Sequence, residues 1–202
     1  CTDASMRIRI SQYWDSLGLA PWDGCEDVPW SAAFISYMVR EAGGGDGFAY
    51  SSAHRDYIKD AFMGGSGLYN SAVDITVETP LVGDLACEGR GTTSSWTFSE
   101  FEAWANSASP ENIPTHCDVV VATDSANGTI TTIGGNLGDT VKQQTESKNT
   151  YAVLLSVTRS TKPSDRLVDV GIVVDTSSSF SDDIANFRAD AADILLQVTE
   201  AY

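Results

Sequence analysis

Histidines, closely spaced cysteines, basic residues and long apolar runs are all in short supply in this chain. Its 202 residues include only 2 histidines, His54 and His116, and the 4 cysteines show no Cys-x-x-Cys spacing. A zinc site needs several such ligands gathered closely, so none is expected. No apolar run reaches the ~18 residues of a membrane-spanning helix. Lys and Arg number 12 against 28 Asp and Glu, a formal charge of -16. Nucleic acid and anionic membrane surfaces would repel such a chain, so neither is an expected partner. The charge instead suits a protein that works outside the cytoplasm.

Apolar content is 42%, enough for one full domain of about 150 residues with some chain left over. The stretch that organises the rest is 29–43, PWSAAFISYMVREAG. Trp30, Phe34, Ile35, Met38 and Val39 recur at helical spacing, which predicts a helix with one buried face. Pro29 suits the first turn, and Gly43 to Gly45 end the helix. Ser31 therefore stands at the positive end of a buried helix, where free N–H groups can receive an oxyanion. Serine is also a common helix-capping residue, so the position admits a structural role as well.

In chain order, Met6 to Leu19 reads as an opening amphipathic helix through Ile8, Ile10, Tyr13, Trp14 and Leu17. Ser51 and Ser52 are placed to cap a third helix that holds His54, Tyr57, Ile58 and Phe62. After a second glycine break the character changes, and VETPLVGDLACEGR reads as a strand entered through a proline turn. Thr92 to Ala105, with Trp96, Phe98, Phe101 and Trp104, is either a short helix or an aromatic loop over a cleft. Two further strands flank Ser125 to Gly128, where Asn127-Gly128 signals a hairpin, and Tyr151 to Thr158 is one more strand. Helices followed by an antiparallel sheet predict an α+β domain over 1–159. A polar linker at 160–166 leads to LVDVGIVVD, a strand of the buried parallel type, and a helix from Ser181 to Tyr202.

The blocks PWSAAFISYMVREAG, SSAHRDYI, TPLVGDLAC, THCDVVV and IGGN, in that order, resemble the bacterial domain-of-unknown-function family 2272. That family looks like a distant relative of NlpC-type and CHAP cell-wall peptidases and amidases, which share a papain-like α+β core. The resemblance implies a nucleophile at a helix start, a histidine on an adjoining strand and a polar residue on the next strand to orient it. By position these are Ser31, His116 and Asn136. The departure is the serine, since a thiol ionises readily at a helix N-terminus whereas a hydroxyl needs concerted removal of its proton.

His116 starts an apolar strand and is as well suited to a structural hydrogen bond as to catalysis. Alternation places Cys117 on the opposite face, which makes it a poor partner for His116. Cys25, six residues before Ser31, is a reserve thiol for the same cleft. His54 is read as not sharing a helical side with Asp56 and Tyr57, and as either a residue near the core or a polar group of the cleft. Trp96 and Trp104 are candidate sugar-binding walls, although aromatics at this spacing are more often core. Four cysteines allow three complete pairings; Cys87 with Cys117 and Cys1 with Cys25 is the preferred pattern.

The segment VDVGIVVDTSSSFSDDIANFRADAADIL resembles the start of a von Willebrand factor A domain. That implies an Asp-x-Ser-x-Ser set, here Asp175, Ser177 and Ser179, offering oxygen ligands to Mg2+ or a similar ion. The later ligand loops of that family are missing, and one strand and helix cannot bury their own faces. The segment is then a piece of a longer polypeptide, or a unit that docks on the first domain, or one whose sheet is completed by a homo-oligomer or a partner chain. The first domain carries no implied cofactor.

Together these readings predict an exported peptidoglycan amidase or peptidase with serine in the usual cysteine position. The rival is a catalytically inactive surface or assembly protein that uses the hydrolase fold as a module and the A-type segment for contacts. The expected location is extracellular or in the cell envelope. Cys1 at the start is compatible with lipid attachment, with a disulfide or with an arbitrary start.

Overall fold

The structure is a computed structural model that describes residues 4–19, 22–65 and 67–156. Cys1, the linker at 160–166, the expected strand and helix over 167–202, and Asp175, Ser177 and Ser179 lie outside the described residues. Within them, helices α1 (Ala4–Asp15), α2 (Ser31–Glu41) and α3 (His54–Phe62) precede strands β1 (Ser71–Asp74) and β2 (Leu85–Gly89). Helix α4 (Phe98–Ala105) then leads to β3 (Thr115–Asp124), β4 (Thr129–Gly134), β5 (Lys142–Ser147) and β6 (Val153–Ser156). This is a mixed α and β fold with four helices and a six-stranded antiparallel sheet. No helix among the described residues is long and apolar enough to cross a membrane.

Helix α2 is the central apolar helix that its spacing predicts. Ala32, Ala33, Phe34, Ile35, Met38 and Val39 are buried, and Gly43 closes the helix at φ +81°, a conformation that favours glycine. The helix begins at Ser31, with Trp30 at its N-cap and no side chain bonded to the cap. In α3 the N-cap is Ala53, whose N–H donates to Ser51 Oγ over 3.0 Å, so that serine supports the turn from just outside. Of the two forms open for the aromatic stretch, the short helix is realised, with a capping box between Thr97 and Glu100.

The strands run β1-β6-β2-β3-β4-β5 across the sheet. From His116 to Val121 every residue of β3 is buried, so the centre of the sheet is covered on both faces. Helices α2 and α3 both pack against β3. The edge strands are the ones periodicity did not announce. Lys142–Ser147 is polar throughout, and pairs with β4 from Thr129↔Ser147 to Gly134↔Lys142. Backbone pairing alone makes it a strand, and its charged side chains discourage further pairing at the edge.

Cys87 and Cys117 face each other directly in the β2/β3 register and form a disulfide. Cys25 is also disulfide-bonded, and no cysteine among the described residues is free. The reserve-thiol role for Cys25 is thereby removed.

At the end of β4 two glycines allow close approaches that any side chain would block. A Cβ on Gly134 would lie 1.8 Å from Asp118 Oδ1, and one on Gly135 would lie 2.8 Å from Phe34 Cβ. The motif IGGN thus lets a carboxylate of β3 and a ring of α2 close in on the strand end.

Candidate active site

The first turns of α2 and α3 and the start of β3 meet at one place. Ser31 Oγ is 2.7 Å from His54 Nε2, and the other ring nitrogen of His54 is hydrogen-bonded to the Tyr57 hydroxyl. His54 and Tyr57 are three residues apart on one helix, a spacing at which side chains are neighbours. The expectation that they do not share a side is corrected by that geometry.

A second pair lies against the first. The rings of His54 and His116 are 4.9 Å apart between centroids, and His116 Nε2 is 2.7 Å from Asp118 Oδ1. Alternation along β3 puts residues 116 and 118 on the same face, which is why the pair forms within a single strand. Tyr151 donates its O–H to Asp118 Oδ2 over 2.8 Å, so both oxygens of this carboxylate are engaged. Ser31, His54 and His116 are exposed by only 7%, 4% and 6%, and Asp118 not at all.

Burial controls the charge of these groups. His54 is held well below the ordinary histidine pKa, first by desolvation and then by the electrostatic influence of the neighbouring His116 and Arg90. Its ring is therefore neutral and able to accept a proton from Ser31. Tyr57 and Tyr151 are both pushed upward, mainly by burial, and stay as neutral phenols.

Ser31, His54, His116 and Asn136 all line one cleft of about 660 Å³. Asn136 sits in its wall with φ +59°, but the hydrogen bond expected of it as orienter of His116 is made by Asp118. Likewise the hydroxyl of Ser31 meets His54, where the resemblance implied His116. Trp96 and Trp104 are not in this cleft. Trp96 packs edge-on against Phe101, and Trp104 donates its indole N–H to the Glu111 carbonyl over 2.8 Å. Among the described residues no three His, Cys, Asp or Glu side chains are grouped so as to hold a metal ion.

Asp118 and Tyr57 were legible in principle, as His-x-Asp on a strand and His-x-x-Tyr on a helix. Tyr151, 33 positions from Asp118, has no local signal.

The family follows from a match over residues 8–166 to the model described as "Uncharacterized protein conserved in bacteria (DUF2272)". The chain belongs to that family. The match covers nearly all of the described residues, so the DUF2272 region contains most of α1, the other three helices, the sheet and the cleft together. No curated protein and no solved structure matches the chain.

Proposed function

We propose that this DUF2272 chain is an exported hydrolase of the papain-like NlpC and CHAP lineage, cleaving amide bonds of cell-wall peptide with Ser31 as nucleophile. The observation that carries the reading is the 2.7 Å contact between Ser31 Oγ and His54 Nε2 in the wall of a cleft. A nucleophile needs a base within about 2.6–3.2 Å, and this one also stands at a helix start.

With the proton of His54 on Nδ1, facing Tyr57, its Nε2 accepts the Ser31 proton as Oγ attacks the carbonyl carbon. The oxyanion is received by backbone N–H groups in the first turn of α2, which have no partner within the helix. His54 then returns the proton to the leaving amine, the C–N bond breaks, and water hydrolyses the acyl-serine by the reverse use of the same base. His116, fixed by Asp118, is the second polar group of the site. The Cys87–Cys117 disulfide favours an oxidising compartment outside the cytoplasm.

The near-complete burial of Ser31, at 7% exposure, favours a second reading in which the cleft is a structural module of a non-catalytic surface or assembly protein. One experiment separates the two. The purified chain is treated with a fluorophosphonate and with peptidoglycan stem peptides, beside a Ser31→Ala control. Covalent labelling at Ser31 with amide cleavage that the control lacks is the expected result. Neither labelling nor cleavage would leave the non-catalytic reading in possession.

A further inference from the structure

The charge of the cleft is opposite to that of the chain. Acidic residues outnumber basic ones 28 to 12 overall, yet the only Asp, Glu, Lys or Arg side chains among the described residues lining the cleft are Arg55 and Arg90. We propose that this cleft binds a substrate carrying a carboxylate, held by Arg90 and Arg55 beside the reacting bond. The proposal rests on the hydrolase reading for the meaning of "reacting bond", but the binding site itself does not.

The two arginines have different ion-pair neighbours. Arg90 follows directly on β2, and its Nη2 is 2.9 Å from Glu88 Oε1, a carboxylate that does not line the cleft. Glu88 pairs with His116 in the β2/β3 register, so it anchors the guanidinium next to the catalytic strand. With one nitrogen on Glu88, the fork of Arg90 still presents its other nitrogens, and its side chain is 47% exposed. Arg90 also adds, after burial and His116, to what holds the His54 ring below its ordinary basicity. Arg55 is the second residue of α3, directly after His54, and lies 3.8 Å from the neighbouring Asp56 through Nε.

The rest of the lining fits an acyl group with a short apolar stem. Trp14 and Trp22, in edge contact at 4.9 Å, with Ile113 and Leu137, supply an apolar wall. Helix α2 adds to the positive character, since it has neither a side-chain cap nor an acid in its first turn. A neutral or cationic substrate would leave these features unused, whereas a carboxylate satisfies a guanidinium in fork geometry.

The carboxylate can come from a side chain or from a free C-terminus, and four probes distinguish them: N-acetyl-Ala-Ala-Glu and N-acetyl-Ala-Ala-Gln, each with a free or an amidated end. Calorimetric titration into the Ser31→Ala full chain reads binding without turnover. At least one carboxylate should tighten binding by about tenfold over its carboxamide, and Arg90→Gln should erase that difference while the neutral peptide binds as before. Arg55→Gln provides the same test at the other arginine of the lining should Arg90→Gln fold poorly. Equal affinity for the fully neutral peptide, or no binding of any probe at millimolar concentration, overturns the inference. Cleavage of acidic and neutral peptides at equal rates would overturn it while the hydrolase reading stands, and carboxylate-selective binding without any cleavage would do the converse.

Discussion

Ser31 Oγ and His54 Nε2 lie 2.7 Å apart although 23 positions separate them, because each stands in the first turn of its own helix. Both helices pack on β3, so their starts arrive at the same end of that strand, where His116 is. The contact shows which of the two histidines is hydrogen-bonded to the serine.

Replacing the histidines one at a time distinguishes their roles. His54→Ala is expected to slow phosphonylation of Ser31 and peptide cleavage by about 10²–10⁴-fold, the usual worth of a positioned base. His116→Ala should slow them less, since Asp118 and not Ser31 is its hydrogen-bond partner. Rates measured on both variants in parallel decide the matter, and the opposite ranking would return the base to His116.

Gly134→Ala tests the close approach at the end of β4. The added methyl would fall 1.8 Å from Asp118 Oδ1, so the carboxylate must leave His116 or the strand must shift. Overpacking of this kind costs about 1–3 kcal/mol. Urea unfolding should show the midpoint falling accordingly, and a variant as stable as the parent would mean that Asp118 has another place to go.

The cross-strand disulfide should contribute more than any single hydrogen bond. Cys87 and Cys117 close a loop with a sequence separation of 30, and the chain-entropy relation gives about 3–4 kcal/mol for a loop of that size. The double variant Cys87→Ala/Cys117→Ala is expected to unfold at correspondingly lower urea with similar cooperativity. A midpoint close to that of the parent would show that strand pairing already restricts the unfolded chain.

Acid should weaken the fold through His54. Burial first, then His116 and Arg90, hold its folded pKa well below 6.5. The unfolded chain titrates the same ring near about 6.5 and so binds more protons on acidification. The contribution of the neutral ring is fully present above about pH 6.5 and is lost as the pH falls through the depressed folded value. Thermal midpoints measured from neutral pH downward should decline, and His54→Gln should flatten part of that decline. An identical slope in the variant would place the acid sensitivity elsewhere.

Much of this arrangement can be read from local patterns. Trp30, Phe34, Ile35, Met38 and Val39 announce α2 because a helix presents every third or fourth residue to one side. The apolar run after His116 announces a strand, which the structure buries on both faces, and Asn127-Gly128 announces the hairpin between β3 and β4, where Gly128 takes φ +65°. Cys87 and Cys117 could be paired because both sit in stretches that read as strands. The polar edge Lys142–Ser147 could not, since nothing in its side chains alternates and only its neighbour holds it extended. The aromatics of α4 were ambiguous for the opposite reason: a buried ring and a ring on a cleft wall require the same residue type.

Helices α1 to α3, the central strand, the helix-start position of Ser31 and the acidic composition follow from the chain alone, because periodicity and turn chemistry act between near neighbours. It took the packed fold to show that Ser31 meets His54, that Asp118 and not Asn136 holds His116, and that the cleft of an acidic chain is lined by Arg55 and Arg90. Those contacts join separate elements, and their distances follow from how helices dock on a sheet, where the packing of the buried faces sets which polar side chains come within reach.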